Sequence, residues 1–350
     1  MSILRRWAWL LLAGLMVSPA YAGCQNSPQM QPKSNFPPMV GRLLLHWWTV
    51  NPKDGTREVG TGQIGMYNFS QQRYYSISTS AWAQAGITDT LNPSFSPDGH
   101  WILFMAQTNT LAWNIYMYRF GGTSLPVALT TSTGATRNED PKFSADGKYI
   151  VFKQTVANYV HNIVIAPLAY NANGVPYLVN LQNVTSTASH VENSMPYLSA
   201  DDSTVYFVQG DDRVVGGTDQ QILYKSTNTS GDGQPWQAGG NYGAWYPIVR
   251  DDGYVYFALR TLAADNSVHD RINAKISSTD TPTELNLNDC LSDNNDPAAV
   301  NGTGYVFFAS TETGHSELYL GDYYSGRRWN LNLFGLNADP TVAYGGASYR

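Results

Sequence analysis

Cysteine, charge and basic runs are all scarce in this chain, and each scarcity excludes a class of protein. Only Cys24 and Cys290 are present among 350 residues, so the fold is no disulfide scaffold. Charged residues make up 14% of the sequence. Setting Arg5 and Arg6 aside leaves 19 of the 21 basic residues against 27 acidic ones, a net charge of −8 with no basic run. Nucleic acid, which is held by neutralising its phosphates, is therefore not expected as a partner. Catalytic signatures are missing too: there is no Gly-x-Ser-x-Gly, His-Glu-x-x-His, Cys-x-x-Cys or phosphate-cradling glycine loop.

What is present begins with a leader. Arg5 and Arg6 precede an apolar stretch from Trp7 to Val17, and Ala20-Tyr21-Ala22 has the small-x-small pattern of a cleavage site. Residues 1–23 read as a secretory signal peptide, too short to span a bilayer, and no later segment is apolar enough to do so. Cys24 follows at once, in a context that resembles a bacterial lipoprotein processing box, with Tyr21 where leucine is usual. That resemblance implies a lipidated Cys24 and an outer-membrane anchor facing the periplasm. Cleavage after Ala22, with Cys24 free or bonded to Cys290, is the other reading. Gln25–Pro38 is rich in Pro, Ser, Asn and Gln, so residues 24–38 are expected to form a flexible tether.

From residue 39 onward one phrase recurs. Pro93-Ser-Phe-Ser-Pro-Asp-Gly-His-Trp-Ile-Leu-Phe104 returns from Pro141, Pro196, Pro247 and Pro297, and in truncated form from Pro340. The prolines are 48, 55, 51, 50 and 43 residues apart. Short strands repeating at this period predict an all-β, six-bladed β-propeller of four-stranded antiparallel blades, one domain over 39–350. The Asp-Gly and Asp-Asp pairs between the first and second strand of four repeats, from Asp98, Asp146, Asp201 and Asp251, read as turn residues, since both types tolerate positive φ. Arg42–Trp48 is a second strand with no first strand ahead of it, and Thr341–Ala343 is a first strand with no second strand after it. The C-terminal strand is therefore expected to join the first blade and close the ring, which removes two sheet edges.

The Pro…Ser-Pro-Asp-Gly-aromatic repeat with this closure resembles the propeller of the TolB family of periplasmic envelope proteins. TolB carries an α/β domain ahead of its propeller, for which residues 24–38 leave no room. The resemblance implies a monomeric, non-enzymatic envelope protein that binds a protein or a cell-surface polysaccharide. A carbohydrate-active lyase or hydrolase working at the channel mouth is the competing reading.

Candidate site residues are the tips just ahead of each proline: Asn92, Glu139, Asp140, Glu192, Asn193, Trp245, Tyr246, Asp296 and Asp339. These are expected on loops around one mouth of the channel. Their oxygens could gather Ca²⁺, although no cofactor is required. Trp245 and Tyr246 offer flat faces for a sugar, or else Trp245 packs between blades. His161, His190, His269 and His315 map to the same face beside Glu192, Asp270 and Glu317. Oligogalacturonate lyases, also propellers, place a histidine-based metal site in this region, but no ligand-type spacing links the four here.

Overall fold

The computed structural model describes residues 28–350 except 110–111, 135, 157–159, 187–189, 230–231, 264–265, 337–338 and 340. Six antiparallel sheets follow one another, each packed on the next and the last on the first, which makes a six-bladed propeller. From the channel outward the first blade runs Val342–Tyr349, Arg42–Thr49, Gln63–Asn68 and Arg73–Ser76. The C-terminal strand is its innermost member, in register with Trp48 opposite Ala343 and Leu43 opposite Tyr349. The expected closure is present.

The innermost strands of the other blades are Ile87–Phe95, Arg137–Phe143, Val191–Leu198, Ala244–Val249 and Asn294–Ala299. Each starts ahead of its repeat proline, so the residues expected on loop tips lie inside a strand instead. Proline is tolerated there because the innermost strand is an edge, with no hydrogen-bond partner on its channel side. At the same place all six inner strands shift register by a β-bulge. The residue before each proline takes positive φ: Asn92 50°, Asp140 53°, Met195 50°, Tyr246 53° and Asp296 50°. Gly346, φ 61°, holds the position in the first blade, where a Cβ would collide with the His46 ring.

The turns after these strands are closed by a recurring Ser-x-Asp arrangement. Ser96 Oγ donates to Asp98 at 2.5 Å, and Asp98 accepts from the His100 backbone at 2.9 Å. Ser144 with Asp146 and Ser199 with Asp201 repeat it. These acids are turn residues, as read. Apolar second strands such as Ile102–Ala106 and Val255–Ala258 are fully buried between blades, and Trp82 stacks on Phe104 at 5.2 Å.

Residues 28–38, read from composition as part of a flexible linker, are instead docked on the ring. Gln29–Met30 pairs in parallel with Arg327–Arg328, the outer edge of the sixth blade. Phe36 then packs on Phe69 of the first blade and on Trp329 and Phe334 of the sixth. The aromatic contacts outweigh a polar composition. Cys290 is disulfide-bonded; Cys24 and the leader lie outside the described residues.

Candidate functional site

The bulges build a lined channel. Across each bulge, the residues before and after the proline both line the channel. They form two six-membered layers around one central cavity of about 780 Å³. One layer is Asn92, Asp140, Met195, Tyr246, Asp296 and Gly346; the next is Ser94, Lys142, Tyr197, Ile248, Ala298 and Ser348. His46, Trp48 and Tyr344 complete the wall on the first blade, and the lining continues to Ala145, Ala200, Asp251 and Arg350 at the Asp-Gly turns.

Hydrogen bonds knit this wall blade to blade. Asn92 Nδ2 donates to Asp140 Oδ1 at 2.6 Å, and Asp140 Oδ2 accepts the Met195 backbone N–H at 3.4 Å. Asp296 Oδ2 accepts the Gly346 backbone N–H. The Asn92 backbone N–H donates to His46 Nδ1 at 3.2 Å. A bulge frees a backbone N–H, and here a side chain from the neighbouring blade accepts it.

Burial shifts the titration of several groups in this wall. It pushes the Asp140 and Asp296 carboxyls above the usual carboxylate range, against the pull of Lys153 on Asp140, of the Gly346 N–H on Asp296 and, more weakly, of Lys142 on both. The Lys142 amine is lowered by burial and supported by Asp296 and Asp140. His46 is pushed down to about 3 by burial, then by Arg57 and Lys142, so its ring is neutral and Nδ1 is free to accept. Burial, reinforced by Asp296, holds the Tyr246 phenol well above its ordinary range.

This geometry has clear counterparts among solved structures. TolB from Acinetobacter baumannii superposes with a TM-score of 0.63 over 88% of this chain and 66% of its own, at 14% identity. A putative TolB from Agrobacterium tumefaciens gives 0.56 over 84% and 89%, also at 14% identity. The fold is TolB-like. At such identity the likeness is one of architecture alone, and this chain spans just under two thirds of the Acinetobacter protein. An oligogalacturonate lyase in complex with manganese shares the architecture too, with a TM-score of 0.50 over 83% of this chain at 14% identity. No protein-family model and no curated protein matches the sequence.

Within the TolB-like ring, the nine residues singled out from sequence separate into two sets. Asn92, Asp140, Tyr246 and Asp296 line the cavity. Glu139 and Glu192 do not: both engage Lys153, at 3.3 and 2.6 Å, and so join the third and fourth blades. Asn193 is fully buried, donating to the His161 carbonyl at 2.8 Å and accepting from Gln209 at 3.0 Å. Trp245 is 8% exposed, packed with Val208 and Trp236 of the fourth blade, with the Arg260 guanidinium 4.4 Å from its ring centre. Of the two readings of Trp245, packing between blades is the one observed, since the bulge turns Tyr246 inward and Trp245 into the blade interface. Asp339 is exposed and accepts from its own turn, at Thr341 N, at 2.9 Å.

The four histidines do not converge. His161 and His190 both face Asp212, at 3.1 and 2.8 Å, whereas His269 faces Asp293 at 3.5 Å and His315 faces Glu317 at 3.2 Å. Among the described residues no set of three or more His, Cys, Asp or Glu is placed to hold a metal ion. Sequence reading missed His46, Lys142, Met195, Tyr197 and Gly346. For Lys142, Met195 and Tyr197 the signal was available: they flank repeat prolines, as the other channel residues do.

Proposed function

We propose that this protein is an exported, periplasmic binding protein of the bacterial envelope, non-enzymatic, that takes part of a protein or cell-surface glycan partner into its propeller channel. The observation that carries this reading is the cavity wall itself. Met195 and Tyr246, large side chains in the left-handed region, are held in a conformation that costs about 1 kcal/mol or more each, and both face the cavity. Strain kept at a lined cavity of this size is what a binding site looks like. Trp48, Tyr197, Tyr246 and Tyr344 supply aromatic surface, and Asn92, Asp140 and Asp296 supply hydrogen-bond acceptors and a donor.

The test is a plug. Met195→Trp puts a larger side chain into the channel, and because Met195 also packs against the cluster between the fourth and fifth blades the variant's melting temperature is measured beside that of wild type. Capture of the partner from an envelope extract, identified by mass spectrometry, should fall at least tenfold while the melting temperature stays put. Unchanged capture would move the binding surface outside the channel.

The raised Asp140 and Asp296 carboxyls also motivate the enzymatic reading, because perturbed acids in a cavity are candidate proton carriers. Against it, both already accept a backbone N–H. Depolymerisation of an acidic polysaccharide that disappears in Asp140→Asn and Asp296→Asn would replace the binding reading with a lyase.

Periplasmic residence rests on the leader of residues 1–23, and an outer-membrane anchor would need a lipid on Cys24. A sulfur cannot carry both a thioether lipid and a disulfide, so a Cys24 bonded to Cys290 would exclude the lipid. The expected outcome is a soluble periplasmic protein whose intact mass carries no acyl chains and drops two hydrogens relative to the reduced form. A membrane-bound protein released by Cys24→Ala would establish the anchor instead.

A further inference from the structure

The channel holds both signs of charge without pairing them. Lys142 and Asp140 lie two residues apart on the inner strand of the third blade, and both line the cavity. Asp296 belongs to the sixth blade, directly across a six-bladed ring. Asp296 and Asp140 both act electrostatically on the Lys142 amine, yet among the described residues that amine makes no ion pair and no hydrogen bond. Asp140 is engaged by Asn92 and the Met195 backbone, whereas among the described residues Asp296 uses only Oδ2, toward Gly346.

This combination selects a ligand by elimination. A simple anion reaching Lys142 would meet two carboxylates, and a simple cation reaching Asp296 would meet the ammonium. Neither sign alone satisfies the wall. A molecule carrying a carboxylate for Lys142 and an ammonium for Asp296 satisfies both, and it replaces lost hydration with charge-assisted hydrogen bonds. Tyr197 and Tyr246 flank the gap and accommodate a methylene spacer. Resting on the channel as the binding site, we infer that its occupant presents a zwitterionic head, an ammonium and a carboxylate held apart, of the amino-acid type.

The experiment is calorimetric titration of the mature protein with a spacing series: glycine, γ-aminobutyrate and ε-aminohexanoate. Hexanoate and hexylammonium serve as single-charge controls. One member of the series should bind at least about tenfold more tightly than either control, the factor expected for one charge-assisted contact. Lys142→Met should reduce that ligand to the level of hexylammonium, Asp296→Asn to the level of hexanoate, and Lys142→Arg should restore part of the loss. Melting temperatures confirm that the variants fold. Equal binding of the controls, silence toward the whole series, or indifference to Lys142→Met would each overturn the inference. If Met195→Trp still blocks partner capture in that case, the zwitterion alone is rejected and the channel reading stands.

Discussion

Removing Thr341–Arg350 unfolds the whole propeller. The deleted strand contributes Val342 and Tyr344 to the cluster shared by the first and sixth blades, with Ala347 and Tyr349 packed against it. Each large apolar side chain lost from such a site removes roughly 1.5–3 kcal/mol. The deletion also turns Arg42–Thr49, an interior strand paired on both sides, into the exposed inner edge of the first blade. Against a typical net stability of about 5–15 kcal/mol, the sum is decisive. Circular dichroism should show no cooperative melt for the truncated chain at the wild-type transition. A midpoint within about 2 °C of wild type would disprove the closed ring.

Trp245→Ala is the second large effect, and it falls on stability and not on recognition. The indole lies between the fourth and fifth blades, so truncation opens a cavity and removes the ring face that Arg260, itself paired with Asp270, covers. A loss of about 3–5 kcal/mol is expected, read as a shift of the urea midpoint. The neighbouring position should behave in the opposite way. Tyr246→Gly removes the side chain from the channel and relieves its left-handed backbone while giving up some packing beside the Trp245 cluster, so the loss of stability should be well below that of Trp245→Ala while partner affinity falls by about 1–3 kcal/mol. If Trp245→Ala melted normally and lost only binding, the assignment of these two residues would be reversed.

The contrast between Trp245 and Tyr246 marks how far sequence reading reaches. Repeat spacing, Asp-Gly turns and the split first blade were legible because each follows from local chemistry: prolines at fixed intervals, residues that accept positive φ, and a strand at either end without its neighbour. The inward layer was not, because a β-bulge is a tertiary choice. Two residues ahead of the proline and one residue ahead look alike in a window such as Asn138-Glu139-Asp140, yet the bulge buries Asn138, pairs Glu139 with Lys153 and turns Asp140 into the channel. Met195 escaped notice because an apolar residue among acids and amides reads as filler. His46 and Gly346 belong to the one repeat whose halves are separated by the entire chain, so no local window contains both. Phe36 shows the same limit at the other end, where a polar composition hid an aromatic anchor.

Side-chain footprinting with hydroxyl radicals tests the central claim most directly, by comparing oxidation in the free protein with oxidation in the captured complex. If the channel is the binding site, Met195, Tyr197 and Tyr246 are oxidised in the free propeller and protected in the complex, while exposed Tyr177 and Tyr324 on the outer surface are unchanged. Protection confined to Tyr177 or Tyr324, with Met195 and Tyr246 oxidised as before, would contradict it.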